Sequence, residues 1–317
     1  MQDFQLTITL IIILFALILL GLSYLFFQLG FSNMKKKWIR RSKDIKTVDY
    51  SIFKTFEPWL FQQKPQDLWI TSRDNLKLHA YYLPCDKAPK ALVILHHGYT
   101  SQGKNMAIFA KLYRDNMDVD ILSLDMRAHG QSAGRYLGFG YLEKEDTRQW
   151  IQTMKEIRGH TLPVILHGIS LGGSTVLSLA GHDCPDDVKI VISDSGFSNL
   201  NQQFKRQFKE IFHLPSFPLI SLGSVWCKTI LGFSFEDASP IQNAAQITVP
   251  TLIIHGLKDM FVPYLMSNDL YQALKCKKQL IQYENAVHAL TYPLNQEDYK
   301  TQVLSFINEN LYEEKPH

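Results

Sequence analysis

A lone serine stands between two glycines in the run Gly168-Ile169-Ser170-Leu171-Gly172, one residue after the apolar stretch 163–166. Side chains that small on both sides let a hydroxyl stand clear on a tight strand-to-helix turn. Such a hydroxyl attacks a carbonyl only if a base takes its proton and a carboxylate holds the base. Residues of those types follow in the order acid, then histidine. Asp259 ends the run "TLIIHGLKD", and His288 follows the last apolar run in "ENAVHAL". Asp194, which ends the run after the serine, is the second choice for the acid. His167 and His255 fall inside their apolar runs, and His129 lies in a loop with Arg127 and Gly130. The helix expected from about Gly173 points its positive end at the site, which favours a developing oxyanion. Two backbone N–H groups should hold that oxyanion: Leu171, next to the serine, and Tyr99, in the loop His97-Gly98-Tyr99-Thr100 after an earlier apolar run. Tyr99 could also wall an acyl pocket. The chemistry would be acyl transfer to Ser170.

The elements that must position these residues repeat along the chain. Short apolar runs at 91–98, 119–127, 163–170, 189–196, 251–259 and 278–288 alternate with helical periods near 104–115, 143–157, 172–182, 263–275 and 296–311. Continuous Val/Ile/Leu runs mean strands buried on both faces of a parallel sheet covered by helices. The fold class is therefore α/β, a doubly wound, mostly parallel sheet with functional loops at the strand carboxyl ends. Before it, "DLWITSRDNLKLHAYYLP" reads as a hairpin turning at Asp74-Asn75. Residues 44–66 read as a short helical linker that packs Trp59 and Leu60 on the domain. Between 197 and 247 no good strand occurs, and two helical stretches suggest a cap inserted over the strand ends.

The N-terminus differs from everything else. From Leu6 to Phe27 the chain carries no charge. Those residues span about 33 Å as a helix, enough to cross a bilayer. A cleaved signal would begin basic, with a shorter apolar core and a small-residue cleavage site; "MQDFQ" and the long run fit an uncleaved span better. Lys35, Lys36, Lys37, Arg40, Arg41 and Lys43 follow it. That flank favours a cytoplasmic domain, with the extracellular face as the alternative. The expected division is an anchor with its basic flank at 1–43 and a catalytic domain at 44–317. Residues 1–43 carry a net +5 within a total of +3, so 44–317 carry −2. The domain is thus no nucleic-acid binder by charge. Cys85, Cys184, Cys227 and Cys276 lie far apart and suggest neither zinc nor a disulfide framework. No cofactor and no metal are expected, because the metalloprotease, P-loop and dinucleotide motifs are missing.

The set "HHGYTS", "DMRAHGQS", "HGISLGG", "GLKDMFVP" and "AVHAL" resembles the α/β-hydrolase superfamily over residues 66–312. It is most similar to membrane-anchored bacterial serine hydrolases of the S33 aminopeptidase and monoglyceride-lipase branches. The resemblance implies Ser170 as nucleophile, Asp259 as acid and His288 as base, with Tyr99 and Leu171 as oxyanion donors. It implies mostly structural work for Asp125, Arg127, His129 and Gly130, and for Asp146 and Trp150. The expected function is an esterase or lipase-like hydrolase acting on a small-molecule, apolar acyl ester, with membrane lipid as the other partner through the N-terminal helix. Apolar cap residues Leu219, Ile220, Leu222, Val225 and Trp226 favour acyl chains. A peptidase or amidase would need carboxylates in the cap, where Glu236, Asp237 and Glu210 are the candidates. A thioesterase shares the triad, and a non-catalytic binding module would lack it.

Overall fold

Alternate residues of the run 91–96 go to opposite faces of a sheet: Ala91, Val93 and Leu95 join one buried cluster, Leu92 and Ile94 another. That two-sided burial is why the run reads as continuously apolar. The computed structural model describes residues 1–33, 49–213 and 215–311; the expected basic flank, Lys35 to Lys43, lies outside them. Eight strands form one sheet: β1 (Gln66–Thr71), β2 (Lys77–Leu83), β3 (Ala91–His96), β4 (Val119–Asp125), β5 (Val164–Ile169), β6 (Val188–Asp194), β7 (Thr251–Gly256) and β8 (Lys278–Tyr283). Their order is β1-β2-β4-β3-β5-β6-β7-β8. The β1–β2 hairpin pairs antiparallel with itself and with β4, and β4 through β8 are parallel. Asn75 takes a left-handed φ of 63° at the hairpin turn.

The helices are α1 (Gln2–Phe31), α2 (Ile52–Thr55), α3 (Glu57–Gln62), α4 (Ala107–Asn116), α5 (Glu143–Arg158), α6 (Leu171–Ala180), α7 (Leu200–Phe212), α8 (Leu219–Leu231), α9 (Leu265–Ala273), α10 (Thr291–Leu294) and α11 (Gln296–Leu311). This is the α/β-hydrolase architecture, with helices on both faces of the sheet. α6 begins at Leu171 rather than near Gly173, because Ser170 already serves as its N-cap. Leu60 of α3 is fully buried and Trp59 packs beside it.

A third apolar cluster lies apart from the two sheet faces. It joins Phe204 and Phe208 of α7, Ile220 and Cys227 of α8, and Phe26, Phe27 and Phe31 of α1. The same α1 is long and apolar enough to cross a membrane. Between 197 and 247 the described residues hold α7, α8 and short 3-10 turns, with no strand.

Candidate active site

β3 and β5 are neighbours, with His96 beside Gly168 in register. From β3 the chain runs on to β4 on one side, whereas β5 leads to β6 on the other. Such a reversal opens a crevice at the strand carboxyl ends. Ser170 stands there, one residue past β5, with φ 56° and ψ −115°. A non-glycine residue held in that region costs of order 1–3 kcal/mol and persists where its surroundings over-determine it. The two glycines show how. A Cβ at Gly168 would sit 2.1 Å from the Gly172 carbonyl oxygen, and one at Gly172 would sit 2.1 Å from the His96 carbonyl oxygen. Strand β5, helix α6 and strand β3 touch backbone to backbone around the serine. The Ser170 N–H donates to the Asp194 carbonyl at 2.7 Å, which ties the turn to β6.

The other two residues arrive from later strands. His288 Nε2 lies 2.8 Å from Ser170 Oγ, and His288 Nδ1 lies 2.7 Å from Asp259 Oδ2. Asp259 Oδ1 accepts from the N–H groups of Phe261 and Val262 at 2.9 and 2.8 Å. Those two bonds leave Oδ2 to face the imidazole. Burial alone would raise the Asp259 carboxyl. The charge of His288, with hydrogen bonds from His255 and His288, overcomes it and holds the group well below its ordinary value.

Asp194, the second choice for the acid, has other partners. It accepts from Ser195 Oγ at 2.9 Å, from Tyr299 OH at 3.0 Å and from Thr291 Oγ1. His167 lies between Tyr113 OH at 2.8 Å and Tyr299 OH at 3.1 Å, and burial lowers its pKa to about 3. His129 stacks edge-on against His97. Asp125 accepts from the Gly103 and Gln131 N–H groups, and Arg127 pairs with Asp146 and Asp74. These groups brace loops. Trp150 is buried in the sheet's second cluster.

Tyr99 and Leu171 line the same cleft as Ser170, which encloses about 740 Å3 counting its open mouth. A Cβ at Gly98 would meet Ser170 Cβ at 3.3 Å, so the loop carrying Tyr99 presses against the serine. As the first residue of α6, Leu171 carries an N–H with no intrahelical acceptor. The remaining walls are aromatic and aliphatic, chiefly Phe139, Phe197, Phe204 and Phe208. No Asp, Glu, Lys or Arg lines the cleft among the described residues.

Three features escaped the sequence reading. His255, placed in the sheet and set aside, is fully buried in β7 but brings Nε2 within 3.2 Å of Asp259 Oδ2 and 2.9 Å of the Val262 carbonyl. Its position four residues before Asp259 was the available signal. Gln203 of α7 lines the cleft and donates to the Phe261 carbonyl at 2.6 Å. Phe26 and Gly30 of α1 also line it, and Tyr99 OH donates to the Gly30 carbonyl at 2.8 Å. No periodicity could reveal the last two.

A family profile described as "Serine aminopeptidase, S33" matches residues 87–222 and 218–294. The uncharacterized protein YqkD of Bacillus subtilis (strain 168) is 28% identical over 259 residues, which cover 82% of this chain and 83% of that protein. Among solved structures, the Pyrococcus furiosus esterase Pf2001 superposes with TM-score 0.65 at 22% identity, covering 79% of this chain and 94% of its own. A Pyrococcus horikoshii acylaminoacyl peptidase superposes with TM-score 0.61 at 19% identity, covering 85% of this chain and 45% of its own. Esterase and peptidase thus share this fold.

Proposed function

The chain belongs to the serine aminopeptidase S33 family of α/β-hydrolases, and from that premise we propose that it is a membrane-anchored serine hydrolase cleaving a carboxylic ester with an apolar acyl group. One observation carries the reading: the hydrogen-bonded chain Ser170–His288–Asp259 opens into a cleft without a charged wall among the described residues.

Ser170 Oγ attacks the ester carbonyl while His288 Nε2 takes the hydroxyl proton. The tetrahedral oxyanion rests on the Tyr99 and Leu171 N–H groups. His288 returns the proton to the departing alkoxide, which leaves as an alcohol while the acyl group stays on Ser170 as an ester. Water, deprotonated by His288, then releases the acid and restores Ser170. Asp259 stays ionised throughout and stabilises the imidazolium. α1 serves as the anchor, the basic flank after it favours a cytoplasmic domain, and residues 197–247 act as the cap.

The peptidase reading has less support. A peptide amine needs a carboxylate in the cleft, and the three candidates have other partners. Asp237 accepts from Ser234, Glu236 from Asn201, and Glu210 from Arg206. Fluorophosphonate labelling in membranes tests the whole reading. Wild type should label, and Ser170→Ala should not; a folded wild type that stays unlabelled would end it. A p-nitrophenyl ester series from acetate to palmitate, run beside an aminoacyl amide, then separates ester from amide; faster amide turnover would favour the peptidase.

A further inference from the structure

α1 changes character along its length. From Met1 to Leu22 almost every side chain is exposed. Beyond that, Ser23, Phe26, Phe27, Gly30 and Phe31 are buried, the i, i+3, i+4, i+7, i+8 stripe of a helix packed on protein. The exposed part runs about 33 Å at ~1.5 Å per residue, close to the ~30 Å hydrocarbon core of a bilayer. Phe26 and Gly30 follow its end by only about 6 and 12 Å.

An aromatic pair lies at the same level of α1. Tyr24 and Trp226 meet edge-on at 5.2 Å, and Trp226 Nε1 donates to Ser23 Oγ at 3.0 Å. Such rings gather where acyl chains meet headgroups. Apolar side chains of the neighbouring segment stay exposed: Val225 is 59% and Phe217 76% accessible. At the end of α7, Phe212 both lines the cleft and is 41% exposed, so it stands at the mouth.

The cleft is therefore built partly from the helix that leaves the bilayer. Phe26 meets the rings of Phe204 and Phe208, both cleft walls, at 6.0 and 5.4 Å. Gly30 lines the cleft and accepts from Tyr99, the residue whose N–H faces the oxyanion in the reading above.

We infer that α1 is a wall of the acyl site as well as an anchor, and that the substrate is an acyl lipid resident in the same bilayer, whose chain enters along the seam between α1 and α7. This rests on the serine-esterase and anchor readings. A lipid ester that passes from hydrocarbon into an apolar cleft keeps its chain out of water throughout, so entry from the side has no dehydration barrier of the kind a chain crossing water meets. Phe26 and Gly30 then set the chain length accepted.

The experiment uses the full chain in phosphatidylcholine vesicles, with monohexadecanoylglycerol placed either in those vesicles or in separate protein-free ones, and fluorophosphonate labelling run in parallel. Hydrolysis should be at least tenfold faster when ester and protein share a vesicle. Gly30→Leu and Phe26→Trp narrow the cleft and should lower the hexadecanoyl-to-acetyl ratio of kcat/KM at least tenfold. Phe26→Leu, a milder change, should shift it in the opposite direction. A protein that labels but hydrolyses ester equally well from either vesicle population, or whose ratio stays unmoved in all three variants, overturns the inference. A wild type that never labels overturns instead the hydrolase reading beneath it.

Discussion

Two buried carboxylates stand at neighbouring strand ends and behave in opposite ways. Asp194 ends β6, and Asp259 lies three residues past β7. Both are almost wholly buried and each accepts several hydrogen bonds. Burial dominates at Asp194 and pushes its pKa up, because Ser195, Thr291 and Tyr299 offer only neutral hydroxyls. At Asp259 the same burial is overcome, because the charge and hydrogen bonds of two imidazoles, His288 and His255, face it. What separates the two buried carboxylates is the cationic imidazole partner, which favours the charged form of Asp259. Asp259 is thus suited to stabilise an imidazolium. Asp194 holds the Thr291 side chain and, through Ser195 Oγ, the Ala289 N–H at 3.3 Å, and so steadies the loop that carries His288.

The largest test of this contrast is Asp259→Asn. It should keep the fold and lower kcat by about 10^3–10^4-fold, measured on a p-nitrophenyl ester; an equal loss in Asp194→Asn would erase the distinction. His255 is the next. With Nε2 bonded to the Val262 carbonyl and 3.2 Å from Asp259 Oδ2, it positions the acid without touching substrate. His255→Leu should lower kcat about tenfold, near 1.4 kcal/mol of barrier. It should also move the acidic limb of the kcat/KM pH profile upward, because a less neutralised Asp259 holds the imidazolium more strongly. His255→Gln, which keeps a donor, should restore both. A rate loss with an unmoved profile would make His255 merely structural.

Asp194→Asn should act mainly on stability. Three hydroxyl donors lose part of their acceptor, a loss of about 1–3 kcal/mol, read by thermal unfolding, with kcat reduced less than about tenfold. The smallest effect sharpens the comparison most. Asp194 has a folded pKa above 3.8, so its stabilisation is complete below 3.8 and fades as pH rises through the folded value. Asp259 has a folded pKa below 3.8, so its stabilisation is present above 3.8 and fades as pH falls. The Tm gap between wild type and Asp194→Asn should therefore narrow with rising pH, and that for Asp259→Asn should narrow below pH 3.8. Parallel slopes would refute the assignment.

Much of the fold was legible because parallel strands buried on both faces write themselves as short apolar runs. The six runs became β3 to β8, each ending at or a few residues inside its expected limit; β8 stops at Tyr283 because the chain then turns toward His288. Gly168 and Gly172 advertised a crowded turn before any partner was visible. His255 is buried inside its strand as its run implied, but a strand pattern shows which residues are buried and not what a buried ring touches at the strand's end. The role of α1 was only half legible. Its apolarity announced a helix long enough to cross a membrane, yet its last turns bury a stripe against α7 and α8.

The sequence by itself determined the local facts: which segments are strands and helices, where the serine turns, and that one end is apolar enough for a bilayer. Those follow from side-chain period, backbone freedom and transfer free energy, all set by near neighbours. Only the tertiary structure decided contacts that no motif marks: His255 against Asp259, and Tyr99 against a carbonyl 69 residues earlier on α1. Such contacts depend on how the sheet, the helical segment and α1 close on one another, and distance along the chain carries no record of it.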